Sequence, residues 1–204
     1  PEPSARDDFQ SNIHSDSHKK LLIKTDCFHA RITIMIAPEK LVDNVNRIGV
    51  HYLVDEGSSE PPDRLTPAEL MAGLAVQSDA RLRSALIAVL LQRPDFSEDV
   101  NQALALLNQQ QKRIFKLYYT AACLLQRIYA NQLQDVLGHH DLLPDFFSEE
   151  WNIERSISTR DQLKELADLH KNFTGLSLNW YGTYESAATR VITRLEKERS
   201  WAAV

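Results

Sequence analysis

The stretch from Thr66 to Gly138 reads TPAELMAGLAVQSDARLRSALIAVLLQRPDFSEDVNQALALLNQQQKRIFKLYYTAACLLQRIYANQLQDVLG and holds one proline, Pro94, after the opening Thr66-Pro67 pair. Apolar residues return every three to four positions through it, and they can share one buried face only if the backbone is helical. Thr66-Pro67-Ala68-Glu69 supplies a hydroxyl N-cap, proline at the first helical position and a glutamate three residues on, which is a capping box. Ser78 and Asp79 open a second helix with Leu82, Ala85, Leu86, Val89 and Leu90 in one stripe, stopped where Pro94 biases Arg93 away from helical geometry. Ser97 is expected to cap a third, shorter helix. A long helix then runs from Gln109 to Gly138, with Ile114, Leu117, Tyr118, Ala121, Leu124, Leu125, Ile128 and Tyr129 on a broad apolar face and Gly138 as a left-handed stop.

Outward from this core the pattern weakens. Residues 1–19 carry two large apolar side chains, Phe9 and Ile13, and read as a flexible tail. Residues 21–25 and 31–36 are rich in branched side chains and suggest a short strand pair. From Pro38 the spacing of Leu41, Val42, Val45 and Ile48 predicts a helix to about Asp55, followed by a linker over 56–65 marked by Gly57, Pro61 and Pro62. Residues 139–158 break the periodicity and read as a packed loop. Thr159 and Gln162 form a second capping-box pattern and open a helix with Leu163, Leu166, Ala167 and His170 on one side, Gly175 ends that helix, and a last helix covers about Tyr184 to Arg199 with Ala188, Val191, Ile192 and Leu195 inward. The fold expected is mainly α, a single domain over 20–204 resembling a helical bundle of five to seven helices with a short β-prone N-terminal segment.

Composition bounds the function. The 204 residues carry a formal charge of −5, and no third of the chain has a marked excess of basic groups, so bulk attraction to nucleic acid or to an anionic membrane is not expected. The uncharged apolar runs fall short of a membrane span. Two cysteines, Cys27 and Cys123, are too few for a disulfide framework and suit a reducing cytoplasm as free thiols. The first residues lack a secretion signal, and the absent initiator Met points to processing or trimming.

Several constellations carry chemistry in principle. His14, His18, Cys27 and His29 offer four ligand types for zinc, at a spacing that matches no common module. His139-His140-Asp141 could supply a base and its orienter, although histidine at a helix C-terminus is also favoured by the dipole. Glu98-Asp99 and Glu149-Glu150 could hold magnesium or lie on the surface. Arg47-x-x-x-His51 shares its residue types with helical ribonucleases at too short a gap. No metal site, catalytic set or cofactor is assigned from these.

The last helix is the most suggestive region. Arg190, Arg194, Lys197 and Arg199 could grip phosphates, with Glu196 and Glu198 interleaved and Arg194 spaced to pair with Glu198. Trp180, Tyr181 and Tyr184 could anchor a protein partner or fill the domain's own core. The function expected is a non-catalytic interaction or regulatory protein working through protein contacts, including a homodimer through the broad face of the long helix. A nucleic-acid-binding regulator of antitoxin type, and a hydrolase or nuclease using His51, His139, His140, Glu149 and Glu150, are the alternatives.

Overall fold

In the computed structural model, residues 36–53, 63–139, 141–154 and 156–202 are described. The expected strand pair except its last residue, Ile36, the N-terminal tail, the His14/His18/Cys27/His29 group and the linker positions 56–62 lie outside these residues. Among the described residues there are eight α-helices: α1 (Pro38–Arg47), α2 (Pro67–Ala75), α3 (Ala80–Gln92), α4 (Val100–Ala105), α5 (Gln109–Ile128), α6 (Ala130–Leu137), α7 (Thr159–Thr174) and α8 (Trp180–Ala202). The chain is mainly helical, as the periodicity predicts.

Helix α1 is shorter than the spacing suggested. Gly49 takes a φ of +84°, which lets its N–H donate to the Asn46 carbonyl while the Val50 N–H donates back to Val45. This pair of bonds is the Schellman termination, and the buried Val50 side chain seals it. Buried Asn44 then ties α1 to the lead-in of α2, donating to the Lys40 carbonyl and accepting the Leu65 N–H at 3.0 Å. At the start of α2 the capping box forms: the Glu69 N–H donates to Thr66 Oγ1 and the Thr66 N–H to Glu69 Oε2.

Other boundaries also differ from the pattern. Ser97 caps nothing; it lies inside a 3-10 turn, Pro94–Asp99, that leads directly into α4. Ser158 rather than Thr159 caps α7, accepting the Asp161 N–H at 3.2 Å, so Thr159 is the helix's first residue and not its cap. The long helix is broken at Tyr129, whose φ of −105° and ψ of 20° leave the α region; this raises the count above the five to seven expected. Gly138 stops α6 with φ +76° and ψ −156°, a positive φ outside the left-handed helical well. Gly175 ends α7 in that well, at φ 68° and ψ 5°.

Helices α3 and α5 form the centre. Every residue of α3 from Ser84 to Leu91 is buried, and so is every residue of α5 from Leu117 to Gln126. Helices α3 and α7 pack on α5, α8 packs on α3, α6 and α7, and α2 lies against α1, α3 and α4. The broad apolar face of α5 is therefore covered by the chain's own elements, which removes the premise for a dimer through it. The segment 141–151 covers a further side. Buried Gln126 donates to the Asp141 carbonyl and accepts the Leu143 N–H at 2.7 Å, while the Tyr119 hydroxyl donates to the Pro144 carbonyl. Leu143 and Phe147 then pack inward, as a packed loop should.

Candidate interaction surface along the last helix

Helix α8 has two unlike sides. It begins at Trp180, four residues before the expected start, because Asn179 caps it by accepting the Gly182 N–H through Oδ1 at 2.9 Å. Trp180, Tyr184, Ala187, Ala188, Val191 and Ile192 are buried, and Leu195 is half-buried. Trp180 and Tyr184 thus occupy the chain's own core, the second of the two roles open to them from sequence.

Their surroundings are aromatic and polar at once. The Trp180 ring stacks on His170 of α7 at 3.6 Å between centroids, and Tyr118 of α5 meets both His170 and Tyr184 edge-on. Nδ1 of His170 and the Tyr184 hydroxyl are hydrogen-bonded at 2.5 Å. Burial, with help from the Arg83 guanidinium, pushes the His170 pKa down to about 3, because a charged ring would lose its hydration here. Tyr181, half-buried, joins a second polar group around Glu185. That carboxylate accepts from the hydroxyls of Tyr181 and Tyr129 and pairs with Arg160 at 2.9 Å, linking α8 to the α5–α6 break and to α7.

The outer side of α8 carries Thr189, Arg190, Thr193, Arg194, Lys197 and Trp201, all exposed, in two adjacent rows at helical spacing. Trp201 is 73% exposed, the largest value among the exposed large apolar residues described. A cleft of about 440 Å³ runs along these residues. A second, of about 200 Å³, lies between Arg190, Arg194 and the His51–Tyr52 turn after α1. A third, of about 430 Å³, lies toward the start of α8 and also includes Arg190. Arg190 interacts with the Tyr52 hydroxyl, whose pKa is raised by burial while that guanidinium pulls it the other way.

Of the four basic residues singled out from sequence, Arg190, Arg194 and Lys197 share this surface. Arg194 pairs with Glu198 at 2.7 Å, as their spacing predicts. Arg199 does not join them; its guanidinium donates to the Asp135 carbonyl of α6. Sequence reasoning passed over Trp201, Tyr52 and Arg81. Trp201 was legible, because it stands four residues after Lys197 on the same helical row; Tyr52 and Arg81 come from α1's exit turn and from α3, and only the tertiary fold brings them to α8.

The described residues of the hydrolase alternative do not share any of the three clefts. His51 is the one member of that set on any of the three clefts. Glu150 pairs with Lys116, His139 is exposed beyond the end of α6, and His140 lies outside the described residues. Among the described residues no three His, Cys, Asp or Glu side chains are grouped to hold a metal ion. Buried Cys123 has its thiol pKa pushed up to about 12 by burial, which leaves the thiolate scarce at neutral pH. No helix among the described residues is long and apolar enough to cross a membrane. Comparison with models of protein families, with curated proteins and with solved structures finds no match.

Proposed function

We propose that this chain is a non-catalytic interaction protein, regulatory in role, that binds another protein through the outer face of α8. The observation that carries this reading is the juxtaposition of exposed Trp201 with Arg190, Arg194 and Lys197 along one cleft. Tryptophan and arginine are the side chains that most often anchor interfaces, and here the arginines stand on a stretch of helix whose opposite side is buried through Val191 and Ile192. A surface held rigid before binding loses little entropy when the partner arrives. The complementary partner presents carboxylates toward the guanidiniums and an apolar pocket for Trp201. A reducing cytoplasm suits a chain with two cysteines, one of them buried as a free thiol.

The test is capture from an extract of the native host with the unaltered chain and with a W201A/R190A variant. One protein recovered in stoichiometric amount by the first and lost by the second, with an unchanged circular dichroism spectrum, is the expected result. A partner retained by the variant would sink the assignment to α8.

A nucleic-acid-binding regulator is the second reading, favoured by the alignment of Arg190, Arg194 and Lys197 on one cleft with an exposed indole able to stack on a base. Against it stand the Arg194–Glu198 pair and the engagement of Arg199 with Asp135. Under this reading R190A and K197A weaken binding and flatten its salt dependence by about one charge each. No association with DNA or RNA oligomers at low salt discards it.

A further inference from the structure

The third cleft, where α3 and α8 begin, has a lining of one sign. Arg81 from the first turn of α3 and Arg190 from the middle of α8 line it with Tyr52, Asn179 and Ser186, and among the described residues no carboxylate does. In a chain with a net charge of −5, two cationic groups brought to one recess by separate elements are a specific arrangement, since like charges held together repel until an anion lies between them. The acidic group closest in sequence to Arg81 is Asp79, and its carboxylate caps α3 by accepting the Arg81 N–H at 2.7 Å.

The neutral donors are oriented to match. Asn179 turns Oδ1 to the Gly182 N–H, which leaves its NH2 group as a donor on the wall. Gly182 makes that fold-over feasible: a Cβ there would lie 2.7 Å from Asn179 Nδ2. The cleft walls are also the first turns of α3 and α8, whose positive dipole ends add to the same field. The two guanidiniums supply the charge, and the helix ends reinforce it. At about 430 Å³ the recess falls within the roughly 300–1,000 Å³ usual for small-molecule sites.

We propose that this cleft binds the phosphate group of a small phosphorylated molecule of mononucleotide size, held by Arg81 and Arg190 with Asn179, Ser186 and Tyr52 as hydrogen-bonding partners. Arginine suits phosphate because its planar fork donates two parallel bonds to two oxygens. This goes beyond the protein-binding role of the outer face, and it is tested with residues that do not line the other two clefts.

The experiment uses the full chain and two probes, inorganic phosphate and adenosine monophosphate, followed by isothermal titration calorimetry and by amide chemical shifts. Binding of adenosine monophosphate in the micromolar to millimolar range, competed by phosphate and centred on the amides of 81, 179 and 186, is expected. R81A and S186E, both at exposed positions, should weaken it roughly tenfold or more, and R81K should retain part of it. The proposal is overturned if neither probe shifts those amides at millimolar concentration, or if S186E binds as the unaltered chain does. Binding of a single-stranded oligonucleotide alone, indifferent to R81A, overturns it as well and moves the phosphate contact to the outer face.

Discussion

At the scale of single residues, the physics is clearest around His170. Its ring is fully buried, stacked on Trp180 and bonded to the Tyr184 hydroxyl, so the fold favours the neutral form. With a folded pKa near 3 against an ordinary value of 6.5, the stabilisation is complete above pH 6.5 and is lost progressively as the pH falls from 6.5 toward 3. Denaturant titrations of the wild type and of H170F across that range should therefore show a shallower pH dependence for the variant; parallel curves would mean the ring is charged or exposed in the fold. Glu185 makes a similar case. It receives two tyrosine hydroxyls and one guanidinium, so E185A should cost about 1–3 kcal/mol by leaving those donors partly unmatched, measured as a shift in urea midpoint. Neither residue stood out in the sequence, where His170 was one apolar-face position among several. The spacing put it inward, and only three separate helices could reveal its partners.

Among the helices, what was legible and what was not separates along a physical line. Local signals carried: the Thr66–Glu69 box, the Asp79 start, the stop at Gly175 and the inward stripe of α7, Leu163, Leu166, Ala167 and His170, are all as the spacing implies. Where two candidates competed within one turn, the sequence could not choose. Ser158 and Thr159 both have the chemistry of an N-cap, and the polar side chain three residues on suits either, Asp161 or Gln162. S158A should cost about 0.5–2 kcal/mol and T159A a small fraction of that, read from thermal unfolding; equal losses would contradict the assigned cap. The break at Tyr129 has a tertiary origin, since its hydroxyl is drawn to Glu185 of α8, and no turn residue announces it. The segment 141–151 owes its order to Gln126, a buried carboxamide inside α5 that bonds two backbone groups of that segment. Q126L should speed hydrogen exchange at the Leu143 amide by more than about tenfold while leaving the core of α3 protected, because the loss of that acceptor is local.

For the whole molecule, the sequence conveyed the fold class and the inner side of α8, and it named three of the residues on its outer side. It could not show that Arg81, Tyr52 and Arg190 converge, because Tyr52 and Arg81 lie far from Arg190 along the chain and no periodicity links them. Nor could it show that α5 is enclosed. The face that suggested self-association is occupied by α3, α7 and the segment 141–151, and in the proposed function recognition is assigned instead to the cationic row ending at Trp201. The most direct measurement is site-specific photo-crosslinking in the native host, with the crosslinker placed at exposed Thr193 in the middle of that row and, as a control, at exposed Arg113 on α5. One discrete protein adduct from position 193, absent from position 113 and abolished by R190A/W201A, is predicted. Adducts that form equally at both positions, or none at 193, would contradict the assignment of α8 as the binding surface.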